Sequence, residues 1–284
     1  MTSRPTVCLS FDFDAIAPWI GTMGLDTPQY VARGEFAANV ATPRILDMLA
    51  REDIRATFFI PGLDAETFPD VCKRIRDAGH EIGHHNYAHE TPTDLAEPQE
   101  REIIERGLEA LDKVVGVRPA GYRSPACDLS PNTTRLLVEY GFSYDSSCSA
   151  MDFDFYKART GDVVHADRPV EFGQELDLVE VPISWQLDDF VYMEFAMKPP
   201  MVLPASADFD SVCKRWIDDL DFMVKHVPDG VFTMVNHPQA IGRSARLNLL
   251  ERLIQRAQHH NAEFVTISDA IDGWEKRQGV TATS

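Results

Sequence analysis

The sequence is poor in positive charge. Lys and Arg number 27 against 45 Asp and Glu, the formal net charge is −18, and there is no basic run of any length. Nucleic acid and anionic membranes recruit clustered lysines and arginines, so neither is expected as a partner. Long apolar runs are missing as well. No segment offers the roughly 18 consecutive apolar residues that a membrane span requires, and the opening "MTSRPTVCLSFDFDAIAPW" has no basic stretch followed by an apolar one, as an export signal would. The five cysteines (Cys8, Cys72, Cys127, Cys148 and Cys213) are odd in number and never in CxxC spacing. That usage speaks against a disulfide framework or a thiolate zinc site and for a reduced, cytoplasmic setting.

Apolar and charged residues make up 44% and 25% of the 284 positions, a globular balance that suits one domain over 1–284. Short β-rich runs alternate with amphipathic ones. "TVCLSFDF" (6–13), "IRATFFIPG", 80–83, 119–123, 142–146, 178–185, "GVFTMVNHP" and "AEFVTI" read as strands. Helices are expected over 42–53 (with Pro43 in the first turn), in "AETFPDVCKRIRDAG", over 97–115, from Ser130 to Tyr140, over 208–226 and 244–260, and after a Ser268 cap. The alternation predicts a parallel β/α architecture, open sheet or barrel. Two stretches, 15–40 and 147–177, read as irregular and too long for ordinary connections. Such segments form site walls or contacts between copies, so a homo-oligomer is one expectation.

The stretch "GHEIGHHNYAHE" (79–90) carries two metal-like patterns: His80-Glu81-Ile82-Gly83-His84 spells HExxH, and His85 and His89 repeat the four-residue spacing. HExxH works only on a helix, where positions four apart share a face. Gly79 stops the preceding helix, so His80–Gly83 reads as a strand, on which residues four apart are about 13 Å apart and cannot share a zinc. His85 and His89 fall in the following turn and can face each other. "SFDFD" supplies carboxylates: Ser10, Asp12 and Asp14 share one face of an apolar strand, Leu9, Phe11 and Phe13 the other. Two acids on one such face are costly unless a cation balances them or they simply cap the strand in water.

In these residues the chain resembles the polysaccharide deacetylase family, carbohydrate esterase family 4. Five motifs follow in the family's order: "SFDFD", "HNYAH", Arg123-Ser124-Pro125, "SWQLDD" and "FTMVNHPQ". Two depart from the usual pattern, Phe13 separating the aspartates and Asn86 standing where Ser or Thr is usual. The spaced aspartates, the "HPQ" followed by Gly-Arg and a long middle insert look like a cytoplasmic branch that includes cyclic imidases, allantoinase-like enzymes and an atypical peptidoglycan deacetylase. The resemblance implies a distorted (β/α) barrel and one divalent metal, zinc for preference, on Asp14, His85 and His89. Asp12 would be the general base, with Arg123 beside it to orient it and balance its charge, and His237 would protonate the leaving nitrogen. Trp185 would wall the pocket, and a backbone N–H near Tyr122 and Arg123 would receive the oxyanion. A motif-four carboxylate, Asp188 or Asp189, would tune His237, with Asp188 preferred. His165, His226, His259 and His260 read as surface, and Cys127 and Cys148 as small buried side chains. The implied function is hydrolysis of a non-peptide C–N bond in a small amide, cyclic imide or N-acetyl compound. Polysaccharide or peptidoglycan N-deacetylation and a non-catalytic binding relative are the competing readings.

Overall fold

The computed structural model describes residues 4–198, 201–203 and 208–279. Its strands are β1 (Thr6–Asp12), β2 (Thr57–Ile60), β3 (Glu81–His84), β4 (Gly121–Tyr122), β5 (Tyr144–Asp145), β6 (Tyr156–Thr160), β7 (Gln174–Glu180), β8 (Ala196–Lys198), β9 (Met201–Leu203), β10 (Val231–Asn236) and β11 (Glu263–Phe264). Nine of them form one sheet in the order β10-β1-β2-β3-β4-β5-β7-β6, with β11 also pairing β1, while β8 and β9 form a separate hairpin. The pairings in the large sheet are parallel except the last, where β6 runs antiparallel to β7. The fold is thus the distorted barrel that the resemblance implies. On the β10 side the chain leaving β7 reaches that strand through a bridge from Asp188 to Val235, and the Val231 amide donates to the Phe153 carbonyl at 2.8 Å.

Alternation along β1 decides which residues face where. Val7, Leu9, Phe11 and Phe13 turn outward into a core shared with Ile45, Met48, Leu49, Phe58 and Ile60, and the Phe11 and Phe58 rings stack at 4.9 Å. Ser10 and Asp12 turn to the inside of the curl. The packing helices include α1 (Ala17–Gly21), α2 (Pro28–Phe36), α3 (Thr42–Arg51), α4 (Gly62–Thr67), α5 (Pro69–Asp77), α6 (Glu97–Val115) and α7 (Thr133–Glu139). They continue with α8 (Phe190–Met193), α9 (Phe209–His226), α10 (Pro238–Ile241), α11 (Leu247–His259) and α12 (Ile267–Gln278). No helix among the described residues is long and apolar enough to cross a membrane.

Several local expectations are corrected. The segment 15–40 is largely helical: α2 runs through a π-helical turn at Ala37–Ala41 directly into α3. Pro43 stands in the first turn of α3, as expected, but α3 continues the preceding helical turn without a break. A proline inside an α-helix lacks a donor and crowds the carbonyl four residues back, and the widened turn just before it relieves that conflict. Conversely, the single helix expected in "AETFPDVCKRIRDAG" breaks at Phe68 (φ −125, ψ 58), because Pro69 excludes helical backbone from the residue before it. The stretch 147–177 contains β6 and the start of β7, and α12 is capped by Thr266, whose hydroxyl accepts from the Asp269 amide, rather than by Ser268. Ser268 instead hydrogen-bonds Glu81.

Candidate metal and catalytic site

The inward ends of the parallel strands converge on one cavity, as the carboxyl ends of strands do in β/α folds. A cavity of about 130 Å³ is lined by Asp12, Asp14, Pro18, Thr22, Met23, His85, His89, Ala126, Cys127, Trp185, Asp188, Phe190 and His237. Of the sequence-predicted residues, Asp12, Asp14, His85, His89, Asp188, His237 and Trp185 reach it. Trp185 is 48% exposed at the rim and is not a core residue.

Arg123 sits just behind this layer, fully buried. Its guanidinium donates to Asp12 Oδ1 at 2.7 Å, to Ser10 Oγ at 2.9 Å, and to the carbonyl and hydroxyl of Ser146 at 3.0 and 2.9 Å. It also lies 4.2 Å over the Phe59 ring. These bonds fix the Asp12 carboxylate in one orientation, so Arg123 is a positioning residue. The structure does not bring Tyr122 to the cavity. Its ring stacks on His84 and its hydroxyl donates to Asn86 Oδ1 at 3.0 Å, because β4 alternation sends Tyr122 and Arg123 to opposite faces. The Arg123 amide is also committed, to the His84 carbonyl at 3.0 Å, so it is no free oxyanion donor.

His80 and His84 stay away from the metal candidates, and both have structural partners. His80 Nδ1 accepts from the Ala56 amide at 3.1 Å. His84 Nε2 meets the Ile104 carbonyl at 3.1 Å and its Nδ1 accepts from the Asn86 amide at 3.2 Å. Beyond β3 the chain turns through Asn86 (φ 57) and His89 (φ 62). Left-handed backbone at Asn86 suits a residue that tolerates it, which Ser or Thr does less well. The turn brings the His85 and His89 rings to 4.8 Å between centroids.

Asp14, His85 and His89 offer ligand atoms within 4.8 Å of one another. His85 Nε2 is 3.6 Å from Asp14 Oδ1, and His89 Nε2 is 3.3 Å from Asp14 Oδ2. Ligands bound at about 2 Å to a tetrahedral zinc stand about 3.3 Å apart, so the spacing fits a cation between them. The tautomers fit too. His85 Nδ1 faces the Arg123 carbonyl at 2.7 Å and must carry its proton there. Thr22 donates to the His89 carbonyl at 2.6 Å and so accepts from His89 Nδ1 at 2.5 Å. Both Nε2 atoms are left facing Asp14, the arrangement that outer hydrogen bonds impose on metal-bound imidazoles. Asp14 Oδ1 itself is buried with no hydrogen-bond partner among the described residues. Burial pushes the Asp14 carboxyl up, but His89 first and His237 beside it outweigh it and hold the group below the usual carboxylate range. Burial pushes His85 down to about 4, which keeps it the neutral imidazole that binds metals.

His237, at the end of β10, is held by a carboxylate. Its Nδ1 is 2.8 Å from Asp189 Oδ1, and its amide donates to both Asp189 oxygens at 3.0 Å. Asp188 Oδ1 is farther, at 3.8 Å, and accepts from the Phe190 amide instead. The direct partner is therefore Asp189, which corrects the preference for Asp188. Asp188 lines the cavity, where burial pushes it up to about 7. Burial opposes a charge on His237, yet Asp188 and Asp189 raise its affinity for a proton well above the ordinary value. Its Nε2 faces Asp12 and Asp14 at 3.8 Å each.

Two supporting residues carry no sequence signal. Thr22 reaches His89 because α1 ends against that loop. A Cβ at Gly21 would lie 1.8 Å from the Ala88 carbonyl oxygen, so only glycine permits the approach. Asp64, fully buried, accepts from the amides of Ala15, Ile16 and Ala17 at 2.8–3.2 Å and pins the turn that carries Asp14. Asp64→Ala would leave these buried donors unsatisfied, at about 1–3 kcal/mol each. The expected result is a lower urea midpoint at unchanged slope, equivalent to a loss of at least about 3 kcal/mol in total, with weaker metal retention. An unchanged midpoint would rule out this support role.

The polysaccharide deacetylase family model matches residues 2–144. A peptidoglycan deacetylase from Helicobacter pylori is 35% identical, with 98% of this chain and 98% of that protein covered. The chain belongs to the polysaccharide deacetylase family. A peptidoglycan deacetylase-like protein from Gibberella zeae is 31% identical over 94% of this chain and 85% of its own length. Among solved structures of polysaccharide deacetylase type, one from Mycobacterium smegmatis superposes with a TM-score of 0.82 at 30% identity, covering 99% of this chain and 93% of the other. PuuE allantoinase shares the fold, with a TM-score of 0.79 at 21% identity over 99% of this chain and 93% of its own. Polysaccharide deacetylases are hydrolases of C–N bonds, and the family places this chain in that chemistry.

Proposed function

We propose that residues 1–284 act as one catalytic domain that hydrolyses a non-peptide C–N bond with one divalent cation, zinc for preference, held by Asp14, His85 and His89. The observation that supports this most is the flanking of that trio by Asp12 and His237, whose Oδ2 and Nε2 lie 3.8 Å apart. Such a cation would supply Lewis acidity, making water easier to deprotonate and the substrate carbonyl easier to attack. Asp12, fixed by Arg123, takes the water proton. His237, loaded with a proton by Asp188 and Asp189, delivers it from Nε2 to the departing nitrogen, which as an amide anion is too poor a leaving group to go alone. Trp185 and Phe190 wall the cavity and limit water around the reacting atoms.

We infer a compact substrate: an amide, a cyclic imide or an N-acetyl compound. The cavity is small, about 130 Å³, and Pro18, Thr22 and Met23 form part of its wall, which suits a group that can be largely enclosed. The names of the relatives from Helicobacter pylori and Gibberella zeae support a second reading, N-deacetylation of peptidoglycan or another glycan. In that case only the acetamido group enters the cavity. Relative kcat/KM of the metal-loaded protein for succinimide or hydantoin against a chitin oligomer and a muropeptide separates the two. Turnover of the small rings is expected to equal or exceed that of the glycans. Turnover of the glycans alone would establish the second reading.

A further inference from the structure

Behind Arg123, away from the cavity just described, three acidic groups converge that the hydrolytic reading leaves unused. Asp145 ends β5 and Glu180 ends β7, and the two are direct partners across the parallel pair. Cys148 follows three residues after Asp145. One ligand atom from each of Asp145, Cys148 and Glu180 falls within 4.8 Å of the others. We propose that Asp145, Glu180 and Cys148 form a second cation site, suited to a divalent ion that accepts a thiolate, such as zinc or cobalt.

The carboxylates are already oriented as ligands would be. Asp145 Oδ1 accepts from the Ser146 amide at 2.9 Å and the Ser147 hydroxyl at 2.6 Å. Glu180 Oε1 accepts from the amides of Ser147 and Cys148 at 3.0 and 2.8 Å. Outer hydrogen bonds of this kind fix carboxylates at metal sites. The second Asp145 oxygen, Oδ2, is buried without an N–H or hydroxyl donor among the described residues, and the Asp145 and Glu180 carboxyls stand close enough to share a hydrogen bond. The neighbouring cations make their hydrogen bonds elsewhere, Arg123 to Asp12, Ser10 and Ser146, Lys157 to Asp177 and Arg159 to Asp162, so that Arg123 acts on Asp145 and Arg159 on Cys148 only through space. A carboxylate pair of this sort needs either one shared proton or a cation. The shared proton would leave the thiol idle. A borderline-soft ion would use all three groups, displacing the thiol proton and the proton between the carboxyls. An entry path exists, because Cys148 and Glu180 line a separate surface cavity of about 340 Å³, from which water would complete the coordination. The same turn, Ser146–Cys148, holds Arg123, so this ion would brace the positioning of Asp12.

Titration of the metal-free full-length protein with cobalt(II) tests the site without any substrate, so its outcome is separate from that of the hydrolase reading. Two equivalents are expected to bind, with a sulfur-to-cobalt charge-transfer band in the near ultraviolet. Cys148→Ser should remove the band and one equivalent, and Asp145→Asn, which keeps the side-chain shape, should do the same if Cys148→Ser fails to fold. Three results would each overturn the proposal: a single equivalent without the band in the wild type, which assigns the shared proton; a band that survives Cys148→Ser, which assigns it to another cysteine such as Cys127; and full stoichiometry in Asp145→Asn.

Discussion

His85→Ala is expected to lower the metal content of the purified protein by one equivalent, whereas His80→Ala leaves it at the wild-type level. Both histidines belong to four-residue repeats in the same twelve-residue stretch, yet they do different work. His85 Nε2 stands 3.6 Å from Asp14 Oδ1, with its tautomer fixed by the Arg123 carbonyl. Alanine there removes one of three protein ligands and leaves Asp14 and His89 a pair that cannot hold a borderline ion against dialysis. His80 is spent on the Ala56 amide, so its loss costs a buried hydrogen bond, about 1 kcal/mol of stability, and no ligand. Elemental analysis of extensively dialysed protein reads the difference. Retention by His85→Ala together with loss by His80→Ala would return the site to the HExxH pattern.

Asp12→Asn is expected to keep the metal and lose activity by roughly 10²–10⁴-fold, the usual size of a lost general base. The two aspartates of "SFDFD" differ in what surrounds them. Asp14 meets both imidazoles and has a bare buried oxygen. Asp12 Oδ1 is held by Arg123 at 2.7 Å, and its Oδ2 lies 3.9 Å from His85 Nε2. An asparagine can still present an oxygen to Arg123, so the local fold survives while the proton acceptor is gone. The loss should fall on kcat, with KM little changed, since the proton moves only in the transition state. Metal content and kcat measured on Asp12→Asn and Asp14→Asn decide the assignment. If Asp12→Asn loses the ion and Asp14→Asn retains it, the two roles are exchanged.

The sequence by itself determined the β/α order, because a period of two and a period of 3.6 can be read without partners. It also determined that His80 and His84 could not share a metal, because a glycine stop puts them on a strand whose geometry is fixed locally. The aspartates of β1, the histidines of the turn, Arg123 and His237 were legible through ordered motifs that sit at strand ends. What only the tertiary structure decided were choices between neighbours. Asp188 and Asp189 are adjacent in "SWQLDD", and only the bridge from Asp188 to Val235 turns the second of them onto His237. Tyr122 and Arg123 are likewise adjacent, and the extended chain through the end of β4, held by β3 and β5 and by the Arg123 amide on the His84 carbonyl, sends just one inward. Thr22 and Asp64 act on ligands 67 and 50 positions away in the chain. No local pattern encodes such contacts, because they arise only when α1 and α4 dock beside the loops that they hold.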